Sequence, residues 1–115
     1  MGIARDPEGH FVPVADWDDL DRLLAESAEQ PVVLFKHDFA CSISANAYRE
    51  LAAVPVEVPL IDVERQKGLA DEVASRTGIK HESPQVIVLR NGRPVYAASH
   101  WDITGEVVAR VAAGD

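Results

Sequence analysis

The sequence predicts an α/β domain, a three-layer sandwich in which helices cover both faces of a mixed four- to five-stranded sheet. Three observations carry this. Val32-Val-Leu-Phe35 and Val86-Ile-Val-Leu89 are continuously apolar and rich in β-formers, the pattern of strands buried on both faces. The stretches between strand patterns repeat their apolar residues at helical spacing. Asn91-Gly92, set between two strand patterns, signals a tight hairpin and so an antiparallel ending.

The elements follow in order. Residues 1–10 read as a loose lead-in to one domain spanning 1–115. Phe11-Val-Pro-Val14 reads as a short edge strand, because a proline lacks the ladder donor that a central strand needs. Asp16 is a good N-cap. After it Trp17, Leu20, Leu23, Leu24 and Ala28 recur at helical spacing, with Asp18 and Asp19 in the favourable first turn, and Pro31 closes the helix. Val32 to Lys36 is a buried strand. A loop at Asp38–Ala40 leads into a helix from about Ser42 to Ala53, which ends before Val54-Pro55. Val56 to Val63 reads as a strand whose start Pro59 displaces towards Leu60. Lys67 to Thr77 is helical, with Leu69, Ala70, Val73 and Ala74 on one face and Gly78 as the stop. Val86–Leu89 and Val95–Ser99 flank the hairpin turn, and Thr104 to Ala113 is a terminal helix with a stripe of Val107, Val108 and Val111. Parallel units followed by a hairpin and a helix make a thioredoxin-like sandwich the most economical arrangement.

Composition narrows the function. The 115 residues hold 47% hydrophobic and 26% charged residues, enough for a packed core. A net charge of −8 without a Lys/Arg cluster argues against a nucleic-acid partner. No stretch approaches the roughly 20 apolar residues of a membrane span. The N-terminus lacks both a signal-peptide core and the Ser or Thr of a myristoylation signal. The single cysteine excludes an internal disulfide and fits a reducing cytoplasm. His10, His37, His81 and His100 have no metal-ligand spacing, so no metal is expected.

Cys41 is the chemical focus. It stands where a strand gives way to a helix N-terminus, and there the unpaired N–H groups and the positive end of the dipole favour a thiolate. Open α/β sheets also place their sites at this edge. Cys41-Ser-Ile-Ser44 has the spacing of a two-cysteine redox motif with Ser44 in the second place. Serine forms no disulfide, so the chemistry would be monothiol: Cys41 takes a group from a partner and an external thiol removes it. Ser44 is a candidate hydrogen-bond donor to the thiolate. Lys36 and His37 are candidates for stabilising it or for holding an acidic group of a small thiol, but adjacent strand residues face opposite ways, so only one of them should approach Cys41. Ser83-Pro84 precedes a strand. In the expected fold this bond is cis, lies against the cysteine and frees the backbone of Ser83 to pair with an extended substrate. His81 is a conceivable catalytic partner of Cys41. Trp101 reads either as an aromatic wall of the site or as a residue packed on the terminal helix.

Three segments together resemble the monothiol bacilliredoxin family, also called the bacillithiol-system redox-active YtxJ family. They are Leu34-Phe-Lys-His37 with Cys41-Ser-Ile-Ser44, Lys80-His-Glu-Ser-Pro-Gln85, and Ser99-His-Trp-Asp-Ile-Thr104, and the likeness runs from about residue 15 to 110. The family usually reads Thr-Cys-Pro-Ile-Ser at its thiol, whereas Ala40 and Ser42 stand in place of the threonine and proline here. The resemblance implies a thioredoxin-like fold and a glutaredoxin-like role in redox homeostasis. Cys41 would take bacillithiol, the co-substrate, from a mixed disulfide on a client protein. A second bacillithiol or another redoxin would then regenerate it, with no tightly bound cofactor. Bacillithiol carries a malate moiety, for which Lys36 is a candidate ligand. Two other readings stay open: a redox-inactive module binding a peptide beside Pro84, and a single-thiol redox sensor.

Overall fold

A computed structural model describes residues 10–114 of the protein. Five strands form one sheet: β1 (Phe11–Pro13), β2 (Val32–His37), β3 (Val58–Asp62), β4 (Gln85–Arg90) and β5 (Arg93–Ser99). Four α-helices surround it: α1 (Trp17–Glu26), α2 (Ser42–Ala52), α3 (Lys67–Thr77) and α4 (Gly105–Ala112), with a 3-10 turn at His100–Asp102. The strand order is β1-β3-β2-β4-β5. β1, β3 and β2 run parallel, and β4 and β5 add antiparallel to β2. Residues 1–9 of the lead-in expected at 1–10 lie outside the described residues. His10 is tied down, with its Nε2 2.8 Å from the Leu51 carbonyl.

Strand alternation divides the core in two. Val32 and Leu34 of β2 and Ile87 and Leu89 of β4 face α1 and α3, and pack with Leu20, Leu23, Leu69 and Val73. Val33, Phe35, Val86 and Val88 face α2 and α4, and pack with Ala47, Leu51, Val108 and Ala112. β2 is therefore covered on both sides, as its unbroken apolar run requires. α4 fits closely against α2: a Cβ on Gly105 would come within 2.3 Å of the Glu50 carbonyl oxygen.

Two details depart from the sequence-based expectation. β3 begins at Val58, not near Leu60, and Pro59 lies inside it. Val58 donates to the His10 carbonyl (2.7 Å) and Leu60 accepts from Val14 (2.9 Å), so alternate residues serve β1. Pro59 points towards β2, whose pairing with β3 starts only at Leu60, so the missing N–H costs no ladder bond. The hairpin turn, with Asn91 at φ 55° and Gly92 at φ 75°, is also anchored from a distance. Buried Ser27, just after α1, accepts from the Gly92 N–H through Oγ (2.7 Å) and from the Asn91 N–H through its carbonyl (2.7 Å).

Candidate functional site

Cys41 is the N-cap of α2, with extended backbone (φ −111°, ψ 128°), a free thiol and partial exposure. The loop before it is a closed turn: the Cys41 N–H donates to the Asp38 carbonyl (3.1 Å), and the Asp38 carboxylate accepts from the Ala40 N–H (2.9 Å). The Cys41 carbonyl accepts the first helical bond, from Ala45 (3.0 Å). No side chain caps the helix, so the first-turn N–H groups remain directed at the space beside the sulfur.

Ser44 is fully buried, and its hydroxyl is turned inward rather than to the thiol. It accepts from the Asp38 N–H (2.9 Å) and lies 2.6 Å from His37 Nδ1. Burial pushes the His37 pKa down to about 4, against opposing pulls from Asp38 and Asp62, so the imidazole is neutral at pH 7. The arrangement that satisfies both side chains has the Ser44 hydroxyl donating to Nδ1 and the proton of His37 on Nε2. Ser44 thus locks the Cys41 loop to β2. The expected Ser44 bond to sulfur is replaced by these two.

Lys36 and His37 part company, as alternation requires. His37 faces α2 and stacks among aromatic rings, edge-on to Phe39 at 4.2 Å and tilted against Phe35 at 5.0 Å. Lys36 faces the α3 side with 0% exposure, and its Nζ lies 3.2 Å from His81 Nδ1. Burial lowers the Lys36 pKa to about 8, with Asp71 pulling it back up. The His81 pKa is lowered too, by burial first and then by the Lys36 charge. His81 is thereby the partner of Lys36, not of Cys41. Lys36 is also sealed off from any ligand. The hollow bordered by His81, about 430 Å³, presents Asp38, Glu64 and Asp71 against one cation, Lys67, and would repel carboxylates. The expected Lys36 contact with malate is corrected on both grounds.

The Ser83–Pro84 bond is cis. The β2–β4 and β4–β5 ladders both stop at Gln85, so Ser83 lies beyond sheet pairing, and its Oγ is buried without a partner among the described residues. The segments 80–85 and 99–102 are laced together: Gln85 Nε2 donates to the Lys80 carbonyl (3.0 Å) and to Ser99 Oγ (3.3 Å), and His100 N–H donates to the Pro84 carbonyl (3.0 Å). The 3-10 turn that follows packs on α2. Trp101, within that turn, is 65% exposed.

One part of the site was not foreseen. A hollow of about 280 Å³ opens beside His37, walled by Phe39 (63% exposed), Ala45, Tyr48 and Arg49. Its signal was present as spacing: Ala45 and Arg49 are four residues apart on one face of α2, the helix that Cys41 caps. Among the described residues, no group of three or more His, Cys, Asp or Glu side chains is arranged to hold a metal ion, and no helix is long and apolar enough to cross a membrane.

Comparisons with known proteins bear on the family and the fold. Residues 13–108 match the sequence model of the monothiol bacilliredoxin BrxC family. A solved structure described as a candidate oxidoreductase with a thioredoxin fold is 29% identical, superposes with a TM-score of 0.82, and the match covers 90% of this chain and 94% of that one. Fasciola hepatica thioredoxin (18% identity, TM-score 0.68, 89% and 96% covered) and a mutant thioredoxin from Halobacterium salinarum (16%, 0.66, 90% and 88%) share the fold. The chain belongs to the monothiol bacilliredoxin family, thiol–disulfide oxidoreductases built on the thioredoxin fold.

Proposed function

We propose that the protein removes bacillithiol from mixed disulfides on client proteins, the task glutaredoxins perform with glutathione. The Cys41 thiolate attacks the bacillithiol sulfur of the client disulfide. That S–S bond breaks, a new one forms between Cys41 and bacillithiol, and the client leaves as a thiolate that takes a proton from water. A second bacillithiol thiolate, or another redoxin, attacks the bacillithiol sulfur held on Cys41. With bacillithiol as reductant, the products are bacillithiol disulfide and free Cys41. Electrons flow from the added thiol to the client, and no tightly bound cofactor is needed.

The observation that carries this reading is the pairing of a partly exposed Cys41 at an uncapped helix N-terminus with a buried Ser44 where a resolving cysteine would stand. This supports a reactive thiol, and nothing in the motif can resolve the adduct from within. In this reading the backbone of Ser83 receives an extended client segment, which its position beyond the end of the sheet pairing supports. The partners in this reading are bacillithiolated proteins and a thiol reductant in the reducing cytoplasm, with neither nucleic acid nor membrane involved. Cys41→Ser tests it on a bacillithiolated client supplied with bacillithiol. Client release should fall to the uncatalysed rate while the variant keeps its fold. Release at the wild-type rate would sink the mechanism.

A further inference from the structure

The described residues offer two hollows beside the Cys41 loop, and charge separates them. The hollow on the α3 side carries Asp38, Glu64 and Asp71 against Lys67, with His81 held neutral by burial and by Lys36. The hollow on the α2 side holds one formal charge, the Arg49 guanidinium, beside His37, which burial keeps neutral. An anion entering the first meets a net negative wall, and one entering the second meets a cation.

The second hollow adjoins the loop that carries the thiol, through Phe39, and runs along α2 from there. Ala45 and Arg49 lie about one and two turns of helix beyond Cys41, the N-cap of α2, and the Ala45 N–H bonds to the Cys41 carbonyl. Eight residues of helix place Arg49 about 12 Å beyond Cys41 along the axis. Ala45, between them, is small and leaves the floor open. Phe39 and the edge of His37 form an apolar wall, at 4.2 Å from one another. Arg49 itself makes no ion pair or hydrogen bond among the described residues, so its planar set of donors is unspent. A guanidinium is the side chain best suited to grip a carboxylate with two parallel bonds.

We propose that this hollow is the subsite for the anionic end of a small thiol substrate, with Arg49 binding its carboxylates while its sulfur lies at Cys41. The inference rests on the bacillithiol reading above and deepens it. The malate carboxylates of bacillithiol lie at the far end of the molecule from its sulfur, and Arg49 takes the role that the sealed Lys36 cannot.

The test measures the rates at which Cys41 is labelled by bacillithiol disulfide and by 2-hydroxyethyl disulfide, which is uncharged. The ratio of the two rates is the readout. Loss of a charge-assisted contact in Arg49→Gln should lower the ratio about tenfold. Arg49→Lys should recover part of it, and Ala45→Leu, which fills the floor, should lower it while Arg49 is kept. An unchanged ratio in Arg49→Gln would overturn the subsite and leave the thiol chemistry standing. Wild-type protein labelled by neither disulfide would overturn the redox reading and the subsite together.

Discussion

Lys36 and His37 are neighbours in β2, both are buried, and burial lowers the pKa of both. They nevertheless belong to different parts of the molecule. His37 lies in the α2 layer, bonded to Ser44 and so to the loop that carries Cys41. Lys36 lies in the α3 layer, beside His81 and within the field of Asp71. Closeness to the cysteine in sequence made the two equal candidates, and the alternation of a strand made them unequal. The same burial therefore serves two ends. At pH 7 it keeps His37 neutral, able to accept from Ser44, whereas it opposes the charge on Lys36, which stays protonated only because its pKa of about 8 still lies above 7.

The largest way to break this comparison is Ser44→Ala. It strips a hydrogen bond from the half-buried Asp38 N–H and from buried His37 at once, so the unfolding free energy should fall by about 2–3 kcal/mol, read by denaturant titration. Labelling of Cys41 should also slow, since its loop loses the tether to β2. Lys36→Met, by contrast, should leave the loop as it is.

Acid sharpens the comparison next. The His37 pKa is about 4 in the folded protein against 6.5 for the free side chain, so the unfolded chain binds the proton more tightly. The stability His37 contributes is whole above pH 6.5 and is lost as pH falls through 4. The difference in unfolding free energy between wild type and His37→Phe should shrink or reverse across that window. A constant difference would mean that His37 is not buried as described.

Lys36 gives the alkaline counterpart. Its pKa of about 8 lies below the free value of 10.5, so its contribution is whole above pH 10.5 and is lost as pH falls to 8. At pH 7 the buried charge is a net cost, and Lys36→Met should be more stable than wild type by a margin that narrows from pH 8 to 10.5. On the rate of Cys41 labelling its effect should be the smallest of the series, close to none. A large loss of rate would return Lys36 to the site.

The features that could be read from sequence were those decided within a few residues. Val32–Phe35 had to be a covered strand, Asn91-Gly92 had to turn, and Cys41 had to meet the start of a helix. What stayed hidden depends on partners far along the chain. Pro59 fits within β3 because β2 begins to pair one residue later. Ser27 holds a turn 65 residues away. Ser44 looks from its spacing like a thiol partner, yet the Asp38 N–H and buried His37 claim its hydroxyl first, since a buried polar group without a partner is costly. The hollow at Arg49 needed β2, the Cys41 loop and α2 to be assembled before it existed, although one of its walls follows a spacing that can be counted.

The proposed chemistry depends on Cys41 acting as a lone reacting thiol. Reduced protein is mixed with bacillithiol disulfide, and separately with glutathione disulfide, and the intact mass is followed over time. The expected result is a single bacillithiol adduct that maps to Cys41, forms faster than the glutathione adduct, and disappears on adding bacillithiol. A folded protein that gains no adduct from either disulfide would show Cys41 to be inert and contradict the mechanism.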